Sequence, residues 1–301
     1  MNSPGRVLMI FPGALGDLIC AGPALAEIAR RHRGASIELM ARAELAKFAA
    51  GRMGVARGHS IDRPEIAVCF SGPGTDLEPA RQFFGAFGRV YSFFAAGDAH
   101  YRNALESAAG GPVSFHPFRP DGPGHIAAGY LRSIGADGAP LEVQIDPTPG
   151  DFSAAARALA DAGCDPARTV VIFPGSGSPA KNWPAERFVE LARTLARSHC
   201  AVAVLGPAEL RLESLMRKRG VPILRGLELG TVAAIARRAQ CFVGNDSGVS
   251  HLAAAAGAQG MVIFGPTDPA RWAPIGRVTI IRRDPLAMLE AAEVAAAIAR
   301  R

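Results

Sequence analysis

The sequence predicts an α/β fold of two Rossmann-like domains, with parallel sheets facing a central cleft. Three observations predict it. Short apolar runs alternate with alanine-rich stretches of helical spacing, the pattern of a parallel, doubly wound sheet. Three glycine-rich turns, Phe11–Asp17, Phe173–Pro184 and Val243–His251, each follow an apolar run and precede a helical one. A stretch rich in proline and glycine, Asp137–Asp151, divides the chain into halves of similar length. Ligands of such sheets bind beyond the carboxyl ends of the strands, where all three turns fall.

Each element has its own local reason. Residues 6–11, with the apolar run Val7–Phe11, read as a short buried strand. Over 17–33, Leu18, Ala21, Leu25, Ile28 and Ala29 recur at helical spacing, and Arg30, Arg31 and Arg33 suit the negative end of the helix dipole. Ile37–Met40 reads as a strand, Leu45–Ala50 as a short helix, and Ile66–Phe70 as a strand ending at the turn Ser71–Gly74. Residues 76–88 read as a helix and 89–94 as a strand. The stretch 108–124 lacks periodicity, and a helical pattern returns over 124–134. Residues 1–148 therefore make the first domain. The second, 149–285, repeats the pattern. Helices are expected at 152–163, 184–198, up to 219, 230–239 and 247–257, with strands at 169–173, 201–205, 222–224, 241–244, 261–264 and 278–282. Pro184 occupies a favoured first-turn position. The last helix, 286–301, is expected to pack back on the N-terminal domain.

Composition bounds the function. The 301 residues exceed the usual size of one domain, and 49% hydrophobic content suffices for two cores. Charged residues of both signs, 20% of the chain, exclude a disordered polyelectrolyte. The net charge of +6 comes from scattered arginines. It implies mild attraction to anionic ligands or an anionic membrane surface, and Arg31, Arg33, Arg42, Arg52 and Lys47 are candidates for a basic face. No zinc-finger spacing or aromatic-plus-basic segment is present, so nucleic acid is not an expected partner. The five cysteines, Cys20, Cys69, Cys164, Cys200 and Cys241, form no C-x-x-C pair and sit mostly in apolar runs. Free buried thiols in the reducing cytoplasm are expected. Asp17 and several glycines and prolines interrupt the N-terminal apolar stretch, which reads as strand, turn and helix rather than a signal peptide. No run of 18 apolar residues suggests a membrane span.

The turns carry the chemistry. A helix N-terminus behind a glycine turn offers free N–H groups and a favourable dipole to an anion. In the middle turn, Gly175, Ser176, Gly177 and Ser178 can present N–H and hydroxyl donors to phosphate, and Lys181 adds a point charge. Ala180 before Lys181 and Asn182 after it rule out a Walker A loop. An ordinary loop with a solvated lysine is the alternative. In the last turn, Ser247 and Gly248 open a helix and His251 lies one turn along it. Asp246 suits a helix cap or sugar hydroxyls better than phosphate. A plain cap with a core histidine is the alternative there. Asp17 stands at the mouth of the first turn, built on Gly13 and Gly16, as either a general base or a helix cap. That turn lacks the third glycine of a dinucleotide fingerprint. No D-x-D and no His/Cys cluster of metal-ligand spacing occurs, so no metal and no bound cofactor are expected.

Together the motifs resemble glycosyltransferase family 9, the ADP-heptose:lipopolysaccharide heptosyltransferases, which have the GT-B fold. The resemblance lies in Gly16-Asp17-Leu18 with Pro23-Ala24-Leu25, and in Pro174–Ser178 with Lys181–Pro184. It continues in Gly244–Gly248 with Ser250–Ala254, and in Phe264–Pro269. It implies an inverting, metal-independent transfer of a heptose or related sugar from a nucleotide sugar, ADP-heptose, to a lipopolysaccharide-core or other envelope glycan acceptor. Carried over by motif, Asp17 becomes the catalytic base, on an acceptor-side loop with Gly13 and Gly16. Lys181 becomes catalytic and, with Ser176, Gly177 and Ser178, contacts the donor phosphates. Asp246, Ser247, Gly248 and His251 line the diphosphate and sugar, Glu209 meets the ribose and Leu227 packs on adenine. The location implied is the cytoplasm or the cytoplasmic face of the inner membrane. A nucleotide-sugar epimerase or hydrolase of the same fold, and a non-catalytic nucleotide-sugar-binding scaffold, are the competing readings.

Overall fold

A computed structural model describes residues 5–72 and 74–300. Pro73, within the turn expected at Ser71–Gly74, lies outside the described residues. The chain divides into two compact units, Met1–Val143 and Gln144–Arg301.

The first unit is built on five parallel strands: β1 (Arg6–Ile10), β2 (Ser36–Ala41), β3 (Arg57–Ser60), β4 (Arg89–Ser92) and β5 (Val113–Phe115), in the order β3-β2-β1-β4-β5. β1 is central because its run Val7–Ile10 is apolar on both faces, as a strand covered by helices on two sides must be. On one side Leu8, Ile10 and Met40 pack with Phe84, Phe87, Val90, Tyr101 and Leu105.

Several expectations need correction here. The helix read over 17–33 is two helices, Leu15–Cys20 and Gly22–Arg31, separated at Ala21. Pro23 lacks an N–H to continue the first helix and occupies the first turn of the second. Ile66–Phe70 is helical, within Pro64–Ala67 and Val68–Phe70, not a strand. The strand is instead Arg57–Ser60, a polar edge segment without the apolar signal of a central strand. Its Gly58 lets β3 lie against the preceding helix, since a Cβ there would sit 2.0 Å from the Ala46 carbonyl oxygen. The helix Ala99–Ala108 and strand β5 also escaped the pattern.

The second unit holds six parallel strands: β6 (Thr169–Phe173), β7 (Cys200–Leu205), β8 (Ile223–Arg225), β9 (Cys241–Asn245), β10 (Gly260–Phe264) and β11 (Val278–Arg282), in the order β11-β10-β9-β6-β7-β8. All six were expected within a residue of their ends. The C-terminal helix, Ala291–Ala299, packs on the helix Ala185–Leu195 of its own unit. Trp183 is fully buried between them, and its indole N–H donates to the Leu289 carbonyl at 3.0 Å.

Cys164 and Cys200 form a disulfide, against the expectation of free thiols throughout, whereas Cys20, Cys69 and Cys241 are free and buried. The fold brings the loop after the helix Pro149–Asp161 beside the start of β7, with 5.7 Å between the two Cα atoms. Residues 36 apart in sequence gave no pattern for this pairing. Among the described residues, no helix is long and apolar enough to cross a membrane.

Candidate functional site

In the second unit the strand order reverses between β6 and β9, and the two glycine turns that follow these strands meet there. A doubly wound sheet leaves a crevice at such a point. Asn245, the last residue of β9, holds the turns together. It is fully buried; its Nδ2 donates to the Pro174 carbonyl at 2.9 Å, and its Oδ1 accepts from the Trp183 N–H at 3.0 Å. Gly244 before it leaves room for Phe173, because a Cβ there would lie 2.9 Å from the Phe173 Cβ.

This clamp places Lys181 against Asp246. The Lys181 Nζ donates to Asp246 Oδ2 at 2.8 Å, and Thr267 Oγ1 donates to the same oxygen at 2.7 Å. The Asp246 carboxylate is 5% exposed and the lysine side chain 31%, so the cation keeps a face open beside its anchor. Asp246 therefore does not cap the following helix, one of its two expected roles. That helix, Gly248–Ala255, begins after Ser247, whose hydroxyl turns to Ser250 Oγ at 3.2 Å rather than to the helix N–H groups. His251 is buried one turn along.

The Ser176 hydroxyl serves its own loop. It stands 2.6 Å from Asn182 Oδ1 and 2.7 Å from the Ser178 carbonyl, and accepts weakly from the Ser178 N–H at 3.3 Å. Gly177 is exposed, with open space where a side chain would begin. Glu209 joins this edge through backbone. Its carboxylate accepts from the Gly206 N–H at 2.9 Å and occupies the room a Cβ on Gly175 would need, 2.2 Å away. Leu227, half-buried just past β8, shares the sheet edge but none of these hydrogen bonds.

Asp17 lies in the first unit, past the carboxyl end of β1. It is the third residue of the helix Leu15–Cys20, where its Oδ2 accepts from the Ala14 N–H at 3.3 Å. Arg119 Nη2 stands 3.6 Å from its Oδ1. The carboxylate thus caps loosely and also faces a guanidinium. Gly13 is required by crowding: a Cβ there would meet Phe11 at 2.5 Å, Asp17 at 2.8 Å and Phe118 at 2.9 Å. Gly16 is half-buried beside Asp17.

The structure thus brings together Lys181, Asp246, Ser247, Gly248 and His251, with Ser176, Gly177, Ser178 and Glu209 along the same edge. Asn182, Asn245 and Thr267 were missed as positioning residues, although each stands inside a motif quoted for the family. Arg119 was missed because residues 108–124 carry no periodicity. The basic face expected from five side chains is reduced. Arg31 is engaged by Glu27 and by the carbonyls of Ile134 and Gly135, and Arg52 by the carbonyls of Phe48 and Ala50.

The profile of glycosyltransferase family 9 (heptosyltransferase) matches residues 137–292. Lipopolysaccharide heptosyltransferase 1 of Escherichia coli is 29% identical over 142 residues, which is 46% of this chain and 44% of that protein. Lipooligosaccharide heptosyltransferase 2 of Haemophilus influenzae is 32% identical over 114 residues, 35% of this chain and 33% of that protein. The aligned part is thus under half the length of these curated relatives. Over whole chains, a family 9 glycosyl transferase from Veillonella parvula superposes with a TM-score of 0.78 at 17% identity, covering 99% of this chain and 98% of its own. The E. coli ADP-heptose lipopolysaccharide heptosyltransferase II gives 0.77 at 18%, covering 98% of each chain. An E. coli heptosyltransferase solved with ADP gives 0.70 at 20%, covering 98% of this chain and 99% of its own. The fold is that of these enzymes, the GT-B type. The profile match spans more than half of the chain and contains every residue of the Lys181–Asp246 group, so the chain belongs to glycosyltransferase family 9.

Proposed function

We propose that this protein is an inverting glycosyltransferase that moves the sugar of a nucleotide-sugar donor, the heptose of ADP-heptose or a related sugar from its own nucleotide, to a lipopolysaccharide-core or other envelope glycan acceptor. The observation that carries the reading is the Lys181–Asp246–Thr267 arrangement at the strand-order reversal, beside the start of the helix Gly248–Ala255. A cation held by a buried carboxylate next to free helix N–H groups suits a diphosphate leaving group.

In this mechanism an acceptor hydroxyl oxygen attacks the anomeric carbon as the bond to the diphosphate oxygen breaks. Asp17 takes the hydroxyl proton, and ADP leaves with the bonding electron pair. Lys181, the N–H groups of Ser247 and Gly248, and His251 balance the charge that develops on the diphosphate. Asp246 and Thr267 keep the ammonium in place. Ser176, Gly177 and Ser178 line the phosphates, Glu209 meets the ribose and Leu227 the adenine. Gly13 and Gly16 shape the acceptor-side loop. The transfer needs no metal in this scheme, and chelation with EDTA is expected to leave the rate unchanged. The reaction takes place in the cytoplasm, against the inner-membrane face where a lipid-linked acceptor would stand.

Calorimetric binding of ADP, UDP, GDP and ADP-heptose to the wild type and to Lys181→Ala tests the donor site. Preference for ADP and its sugar is expected, weakened on the order of ten- to hundredfold by loss of the charged contact. A UDP or GDP preference would keep the transfer chemistry and discard the heptose. Turnover of donor alone at the rate seen with acceptor would favour an epimerase or hydrolase. Tight binding without turnover on any envelope acceptor would favour a scaffold.

A further inference from the structure

The first unit has a second charged region, at the amino ends of the strands whose carboxyl ends point to Asp17. A cavity of about 560 Å³ opens where β1 and β4 begin, lined by Arg6, His32, Arg33, Arg89 and Pro112. Two of its arginines lack a counter-charge. Arg6 is bound in bidentate fashion by Glu38, at 2.8 and 3.0 Å, and Glu38 also holds His59 at 2.6 Å. Among the described residues no carboxylate lies within ion-pair distance of Arg33 or Arg89.

Arg89 is the informative residue. Its guanidinium carbon lies 4.7 Å over the Tyr91 ring, which fixes the plane of the fork. Its Nε is buried and has no hydrogen-bond partner. A buried cationic donor left unmet is unfavourable, and an anion in the cavity beside the same guanidinium would offset its charge. The unbalanced charge is felt nearby. Burial first, then Arg89 and Arg31, hold His32 below its usual range, and Arg31 is itself paired with Glu27. Burial and Arg89 also lower His116, against the raising effect of its bond to the Ser133 carbonyl.

We propose that this cavity is an anion site distinct from the nucleotide-sugar site, and that it takes a phosphomonoester dianion between Arg33 and Arg89. Guanidinium forks match phosphate oxygens in bidentate geometry, and a dianion supplies the missing charge for two arginines. A free phosphate and the phosphate of a lipid headgroup share this chemistry.

The test follows the His32 ring protons by NMR across a pH titration. The imidazole donates or accepts at Nε2 with the Tyr91 hydroxyl at 3.0 Å, and the charges facing it are Arg89 and Arg31. A bound dianion cancels the Arg89 field, so the His32 titration is expected to move upward when inorganic phosphate is added. Phosphate affinity is expected to fall on the order of ten- to hundredfold in Arg33→Ala with Arg89→Gln. Arg33 is exposed, so Arg33→Ala alone tests the site without risk to folding, with a smaller loss expected. In a second arm, phosphatidylcholine vesicles containing phosphatidic acid replace free phosphate. A response to phosphate supports the site with a soluble ligand. A response to the vesicles alone, lost in Arg33→Ala, supports it with a lipid source. A His32 titration unmoved by either probe, or wild-type affinity in the variants, overturns the proposal.

Discussion

Asp17 has one carboxylate oxygen near the Ala14 N–H and the other near Arg119, at 3.3 and 3.6 Å. Both contacts are long, so the carboxylate is oriented without being fully consumed. If it takes the acceptor proton, Asp17→Asn lowers turnover by at least about 10²-fold while ADP-heptose affinity is unchanged. Steady-state kinetics beside calorimetry check this, and full activity would remove Asp17 from the mechanism. Gly175 offers a second prediction. A Cβ there would sit 2.2 Å from Glu209 Cγ and Oε1. Glu209 is a flexible side chain and would swing away, giving up its bond from the Gly206 N–H. Gly175→Ala is therefore expected to weaken ADP binding several-fold with little change in the melting temperature. Unchanged affinity would mean that Glu209 does not meet the ribose.

At the scale of elements, the helix Gly22–Arg31 shows how charge pairs fasten a short segment. Arg30 and Arg31 both donate to Glu27, at 2.6 and 2.8 Å, and hold its carboxyl down at about 2 from the ordinary 4.5. A folded-state value below the unfolded one means that the stabilisation is complete above pH 4.5 and fades as pH falls toward 2. Glu27→Gln is expected to flatten the acid side of the stability curve in that window, as urea midpoints measured at successive pH values would show. The C-terminal helix depends on Trp183 instead. Trp183→Phe removes the bond to the Leu289 carbonyl and leaves that acceptor buried, at an expected cost of about 1–3 kcal/mol in chemical denaturation. No change in the denaturation midpoint would show that packing alone holds this helix.

Across the whole molecule, two doubly wound sheets recur with the same strand order, the second with one strand more. The second unit is also closed covalently by Cys164–Cys200, 36 residues apart. A loop of that length restricts the unfolded chain by about 4 kcal/mol in the chain-entropy account. Reduction is therefore expected to lower the unfolding midpoint, and Cys200→Ser to lower it equally and make it insensitive to reductant. A midpoint that ignores reductant in the wild type would mean that the thiols are unpaired in solution, as the cytoplasmic setting proposed above would favour.

Strands of the second unit were legible because buried parallel strands are continuous apolar runs, and Thr169–Phe173 and Gly260–Phe264 fall within a residue of where the pattern put them. The phosphate-type turns were legible for a related reason: glycine, serine and a helix start must follow one another closely in sequence. The family motifs carried the rest. Arg57–Ser60 was not legible, because an edge strand takes its place from neighbours rather than from its own apolarity. Nor was the pairing of Lys181 with Asp246, or the buried Asn245 that aligns their loops. Those contacts join residues 62 to 71 apart, and no local pattern records them. Local sequence set the alternation of strand and helix and where the glycine-rich turns fall, since both are local consequences of side-chain periodicity and backbone freedom. Tertiary structure decided which turns meet, which carboxylate anchors the lysine, and which cysteines pair, because strand order in a parallel sheet is set by long crossovers and not by neighbouring residues.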